Sequence, residues 1–247
     1  MKIVNAFLMC ISTFTAIPCR IRKWDEEARP LMILMLPFAG LLLGALWLAV
    51  FWLIDRFALP FVLGAAIKTI FMYVASGFIH LDGYMDVADA IGSYKSVEER
   101  RNILKDSHCG SFAVIAAIIL FLLEFSAFAS SLAYEERMIL FIPFVSRAMS
   151  GLFVSMLKPM PTSQYSGDFQ SNIKKTYIAV FVIYILAAFA IALFWLGLFA
   201  RVIIIEVLAH ALATAYAYRQ LEGMNGDISG FAICIAELAA VIAMVMI

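Results

Sequence analysis

Apolar runs near the length a helix needs to cross a bilayer, about 20 residues at 1.5 Å each, recur along this chain. They read as residues 31–54, 61–79, 111–130, 138–157, 177–199, 202–218 and 228–247. Hydrocarbon offers no water to a backbone polar group, so such runs must satisfy their N–H and C=O groups internally, as α-helix. Composition agrees: 64% of residues are hydrophobic and 15% charged, against about 45–50% and 25% in a soluble domain. The expected fold is therefore all-α, a polytopic integral membrane helical bundle of about seven transmembrane helices in one domain covering residues 1–247. The run 6–17 is too short to span and reads as an N-terminal interfacial or re-entrant segment. It carries no small-residue cleavage site, so no signal peptide is expected. Cys10, Cys19, Cys109 and Cys234 have neither disulfide-framework nor metal-ligand spacing.

Several residues inside the runs call for partners. Gly40 and Gly44 form a GxxxG pair, which lets another helix approach closely. Lys68 either snorkels or pairs with an acid, with pairing favoured. Glu124 and Arg147 are costly in hydrocarbon unless an internal partner or a ligand satisfies them.

Alternate connectors fall on the same side, and charge is unequally divided between the sides. Lys2, Arg20, Arg22, Lys23, Arg29, Lys95, Arg100, Arg101, Lys105, Lys158, Lys174, Lys175 and Arg219 share one side. Arg56, Arg137 and Arg201 lie on the other. The positive-inside rule makes the richer side cytoplasmic and the membrane the cytoplasmic one. The formal net charge is zero, and nothing points to a nucleic-acid partner.

The stretch Gly77-Phe78-Ile79-His80-Leu81-Asp82-Gly83-Tyr84-Met85-Asp86-Val87-Ala88-Asp89-Ala90 carries the chemistry. It is expected to continue the second span beyond the bilayer. Asp82, Asp86 and Asp89 stand at i, i+4 and i+7, along one helical stripe. Three carboxylates so placed repel one another unless solvated or neutralised, and Mg²⁺ both accepts carboxylate oxygens and leaves room for substrate phosphates. The bland alternative is a solvated helix face. His80 suits a base or a group that orients a carboxylate, and Gly83 allows close backbone approach. Ser96 and Glu99 have capping-box spacing, so a short helix carrying Arg100, Arg101 and Lys105 should follow and end by Gly110. Asn225-Gly226-Asp227 reads as a turn on the same side. There is no GxxxxGK[ST], HExxH or GxSxG motif. Carboxylates, a divalent metal and separate cations together suit phosphoryl-type transfer.

At these residues the chain resembles the cobalamin synthase family (adenosylcobinamide-GDP ribazoletransferase). The likeness continues through Glu99-Arg100-Arg101 and Lys105 to Phe112. It also takes in Phe14-Thr15-Ala16-Ile17-Pro18 and Gly223 to Gly230 with Glu237 beyond. Asn225 stands where that family has Thr, and Cys109 where it has a larger aliphatic residue. The resemblance implies a membrane transferase joining adenosylcobinamide-GDP to α-ribazole, or to its 5′-phosphate, with release of GMP and with Mg²⁺ as cofactor. It implies Asp82, Asp86 and Asp89 as metal ligands and His80 as an aid in deprotonating the ribazole hydroxyl. Substrate-binding roles go to Arg100, Arg101, Lys105, Asp106, Asn225 and Asp227. The lipid bilayer is the other partner, and the resemblance leaves room for a homo-oligomer. A looser likeness to CDP-alcohol phosphotransferases lacks their downstream GxxxDxxxD. An ion-coupled carrier is a further alternative, and would need the Asp stripe near mid-bilayer.

Overall fold

The computed structural model describes residues 2–19, 24–130, 134–161, 163 and 175–247. The expectations on Arg20, Arg22, Lys23 and Lys174 lie outside the described residues. The helices are α1 (Lys2–Phe14), α2 (Arg29–Leu34), α3 (Leu36–Arg56), α4 (Phe61–Ala75), α5 (Ile79–Gly92), α6 (Val97–Ile103), α7 (Ser111–Ser130), α8 (Ile142–Met156), α9 (Lys175–Leu196), α10 (Arg201–Leu221) and α11 (Gly226–Met246). No strand occurs among the described residues; the backbones of Pro159 and Met224 meet in one isolated bridge.

The all-helical membrane architecture is as expected, while length and composition alone do not reproduce the count of seven spans. Five helical stretches are long and apolar enough to cross a bilayer, or six if α4 and α5 together make one. The sequence reading divides residues 177–218 in two, and the helical stretch Lys175–Leu221, 47 residues long, likewise consists of two helices, α9 and α10. It is interrupted only by the 3₁₀ turn Gly197–Ala200, where Gly197 takes φ +60°. Both arms pack on α8. Trp195 meets Phe141 and Tyr184 meets Phe144, so α9 runs against α8. His210 reaches Ser150 and stacks on Phe153. Large side chains such as Ile183, Phe194 and Leu212 cover the outside, as a bilayer requires.

The second expected span also ends early. It does not continue straight through the Asp stripe but stops at Ala75, and α5 leaves at 91°. The physical reason is a Schellman cap. Gly77 N–H donates to the Val74 carbonyl and Phe78 N–H to that of Tyr73. Both residues adopt left-handed backbone, at φ +65° and +61°. The N-terminal segment docks on this break, since Ala16 N–H donates to the Ala75 carbonyl at 2.8 Å.

Expectations about intramembrane partners hold. A Cβ on Gly40 would strike the Pro143 carbonyl, and one on Gly44 would lie 2.7 Å from the Ile139 oxygen, so the GxxxG face seats α3 on α8 and its lead-in. Lys68 Nζ donates to Tyr134 Oη at 2.9 Å, sits 3.4 Å from Glu136 Oε1 and covers the Phe51 ring. Tyr73 Oη donates to Glu124 Oε2. Arg147 Nη1 pairs with Glu237 Oε1 at 2.5 Å, and Ser146 Oγ donates to the same oxygen at 2.7 Å. At the core of the bundle α11 packs on α5, α7, α8 and α10.

Removing one member of a buried ion pair strands the other. Glu237→Leu is expected to destabilise the protein by about 3–5 kcal/mol, read as a lower thermal midpoint in detergent. Arg147→Met added to Glu237→Leu should recover most of the loss; a double variant less stable than the single one would refute this account.

Candidate functional site

The site forms where α5 crosses α11, and glycine makes the crossing close. A Cβ on Gly83 would lie 2.8 Å from Asp227 Cα, and one on Gly230 would lie 2.7 Å from the His80 carbonyl oxygen. Only hydrogen at these positions lets the two backbones touch. The crossing sets the α5 carboxylates against Asp227 at the first turn of α11. Burial first, and then the negative charges of Asp82, Asp227 and Asp89, disfavour the charged form of Asp86. Asp82 is exposed, whereas Asp86 and Asp227 are half-buried.

The Asn225-Gly226-Asp227 turn is a helix cap as well as part of the site. Asn225 Oδ1 accepts from Ile228 N–H at 3.0 Å, the N-cap bond. Its Nδ2 donates to Asp227 Oδ2 at 2.6 Å, orienting that carboxylate. The Asp that begins a helix also meets the positive end of the helix dipole.

The third member of the stripe turns elsewhere. The Asp89 carboxylate occupies the space a Gly110 side chain would fill, and Oδ1 accepts from Ala113 N–H at 3.4 Å. It therefore serves the N-terminus of α7, where an anion is favourable. Among the described residues, no three His, Cys, Asp or Glu side chains gather tightly enough to hold a metal by themselves.

The cations come from α6, whose capping box forms as expected. Ser96 Oγ accepts from Glu99 N–H, and Glu99 Oε2 accepts from Ser96 N–H. The helix ends at Ile103, well short of Gly110. Arg101 Nε donates to the Leu221 carbonyl at 2.9 Å and its Nη2 to that of Glu222 at 2.8 Å. Arg100 binds Gln220 through both its side chain and its carbonyl. The two arginines thus complete the C-terminal turn of α10, whose last carbonyls lack intrahelical donors. Asp106 is exposed on the loop beyond, where hydrogen bonds from the side chain and backbone of His108 hold its carboxyl below its usual value.

Two spaces meet at Asp227. A cleft of about 160 Å³ is lined by Arg101, Lys105, Asn225 and Asp227 among others. An inner cavity of about 260 Å³ has Asp82, Asp227 and Gly226 on its wall, and Phe14, His80 and Arg147 line it too. Gly226 and Asp227 belong to both. Sequence reading brought out Asp82, His80, Arg101, Lys105, Asn225 and Asp227, and the structure gathers them here. It missed Ser150, and took Phe14, Ser229 and Gly230 only as part of the family likeness, with no role at the site. The spacing Gly226-xxx-Gly230 was the available signal for a close crossing.

Because the crossing has no room for a methyl group, Gly83→Ala and Gly230→Ala are each expected to cost about 1–3 kcal/mol. Gly64→Ala should cost less, since its new Cβ meets only the Ile54 Cγ2 methyl. Thermal unfolding in detergent tests this; equal losses at all three positions would refute it.

Comparison with known proteins agrees with this arrangement. The family model described as Cobalamin-5-phosphate synthase matches residues 6–245. An adenosylcobinamide-GDP ribazoletransferase of Clostridium perfringens is 34% identical over 242 residues, covering 96% of each chain. The protein of that name in Lachnoclostridium phytofermentans is 31% identical, covering all of this chain and 95% of its own. That of Geobacillus kaustophilus is 30% identical over 92% of this chain and 89% of its own. No solved structure matches. The chain belongs to the cobalamin-5-phosphate synthase family.

Proposed function

We propose that this membrane transferase joins adenosylcobinamide-GDP to α-ribazole, or to its 5′-phosphate, and releases GMP. The observation that carries the reading is the meeting of two unlike spaces at one carboxylate. The cationic cleft and the mixed inner cavity both end on Asp227, so a phosphorylated donor and a nucleoside acceptor can meet there. Full-length similarity to proteins named for this reaction supports it.

The residues divide the work as follows. Arg101 and Lys105 hold the donor diphosphate and offset its charge. Arg101 is already fixed by the α10 carbonyls, so little side-chain freedom is lost on binding. Asp82 and Asp86 are the carboxylates that would hold Mg²⁺, since this ion typically takes one or two carboxylates and completes its shell with water and phosphate. Their crowding with Asp227 fits a site that awaits a cation. When bound, Mg²⁺ would neutralise phosphate charge and polarise the phosphorus–oxygen bonds. Asp89, engaged at α7, acts by fixing the far end of α5 and not as a third ligand. The ribazole hydroxyl oxygen bonds to the phosphorus attached to the cobinamide, and the bond to GMP breaks. Asp227 accepts the hydroxyl proton, with Asn225 fixing the carboxylate that does so. His80 lines the inner cavity only, which makes it a group that binds the nucleoside more than the proton acceptor. The positive-inside rule turns this end of the bundle to the cytoplasm, the side from which a soluble substrate would reach it.

The reading is tested with purified protein given both substrates. GMP release should require each substrate and Mg²⁺ and stop on chelation; GMP release without ribazole would overturn it. Asp82→Asn and Asp227→Asn should each lower turnover by about 100-fold or more in protein of unchanged helicity. Lys105→Ala should raise the KM for adenosylcobinamide-GDP by about 10-fold or more. Arg137→Ala should change neither constant, because Arg137 pairs with Glu135 at the other end of α8.

A further inference from the structure

Two residues on the wall of the inner cavity each carry a buried polar atom with no partner. His80 Nε2 and Ser229 Oγ are both without a hydrogen bond. Their residues are only 8% and 9% exposed, and both line this space. A buried donor or acceptor left unpaired costs about 1–3 kcal/mol, and here two such costs fall in one place. Of the other polar side chains on the wall, Asp82 and Asp227 stand at the mouth toward the cationic cleft, and the two deeper ones are committed. Arg147 is paired with Glu237, and Ser150 Oγ lies 3.3 Å from His210 Nε2. Away from those carboxylates the wall is apolar, with Ile33, Leu36, Val154 and Ile233 on it, and the Phe14 ring lies nearly parallel to that of His80. The geometry points to a binding pocket for the flat azole base of the ribazole nucleoside, with His80 and Ser229 as its hydrogen-bonding residues. This assignment rests on the ribazole reading above.

Size and charge select this occupant. At about 260 Å³ the cavity lies just below the roughly 300–1,000 Å³ of ordinary ligand pockets, enough for one small ring system and far too little for a corrin macrocycle. Two unpaired polar atoms in an apolar wall suit a base with few heteroatoms. Guanine presents donors and acceptors around most of its edge and would leave several unsatisfied against Ile33, Leu36 and Val154. Its phosphates are drawn to Arg101 and Lys105 on the far side of the Asn225–Asp227 turn. A base seated between Phe14 and His80 places its ribose at the mouth, where Asp82 and Asp227 stand, so the hydroxyl faces the cleft that holds the donor.

The experiment is equilibrium dialysis of labelled α-ribazole against the protein in lipid nanodiscs, without the second substrate. Wild-type protein should bind saturably. Ser229→Ala should weaken binding about tenfold, as loss of one hydrogen bond does, and Val154→Phe, which fills the space, should abolish it. Adenosylcobinamide-GDP binding should stay within about twofold in both. Wild-type affinity for α-ribazole in both variants, or loss of adenosylcobinamide-GDP binding in its place, would overturn the assignment. Displacement of bound α-ribazole by GMP alone would give the cavity to guanine and overturn it equally. Should Val154→Phe fail to fold, Ser229→Ala decides. Wild-type protein that binds α-ribazole but releases no GMP would sustain the pocket and sink the reaction; protein that binds none sinks the pocket whatever it releases.

Discussion

Helices normally stand 8–10 Å apart, their side chains setting the gap. At Gly83 and Gly230 that gap closes until a single methyl group would overlap the opposite backbone. The consequence is electrostatic as much as steric. Asp82 and Asp86 on α5 and Asp227 on α11 are brought within reach of one another, although mutual repulsion would separate them on a freer scaffold. The packing that holds them is supplied by the rest of α11, which touches α5, α7, α8 and α10 along its length. Crowded carboxylates are a stored electrostatic cost, and a cation with its phosphate ligands is the natural means of relieving it.

The same crossing divides the space around Asp227. On one side lie cations whose positions are set by a neighbouring helix end: Arg101 cannot swing freely, because it closes the last turn of α10. On the other lies a half-apolar chamber roofed by the N-terminal segment. That segment reaches the site because α4 ends in a left-handed cap whose free carbonyl at Ala75 receives Ala16. The bend at Gly77–Phe78 therefore does two things. It turns α5 across the bundle toward α11, and it creates a docking edge that brings Phe14 against His80. A two-substrate transfer gains from such a division, since orienting both reactants before reaction removes much of the entropic barrier.

Beneath the site, charge inside the bundle is consistently compensated. Arg147 with Glu237 and Ser146, Lys68 with Glu136 and Tyr134, and Glu124 with Tyr73 each join two helices. In hydrocarbon, packing and such bonds hold helices together, because lipid is as apolar as the side chains it touches. The Arg147 pair also forms part of the inner chamber, so the bond that holds α8 to α11 fixes one wall of the pocket.

Much of this was legible beforehand, for reasons that are local. Apolar runs give membrane helices because length and hydropathy alone decide insertion. The Ser96–Glu99 box and the Gly40–Gly44 face were readable because each depends on spacing within one helix. The meeting of Asp82, Asp86 and Asp227 was legible in outline, because the segments that carry them read as lying on one side of the membrane. What only the tertiary structure decided concerns contacts between segments distant in sequence. Periodicity placed Asp89 on the stripe, but Gly110 and the open end of α7 draw it away. Arg100 and Arg101 read as phosphate ligands, yet their first partners are the carbonyls of a helix more than a hundred residues later. The second span looked continuous because helical periodicity does not register a left-handed pair at Gly77 and Phe78. The count of spans was not fixed beforehand for a like reason: where a helical stretch bends or folds back is set by packing. The sequence by itself determined the solvent, the secondary structure and the inventory of reactive groups; which groups face one another was decided by where the backbones could touch.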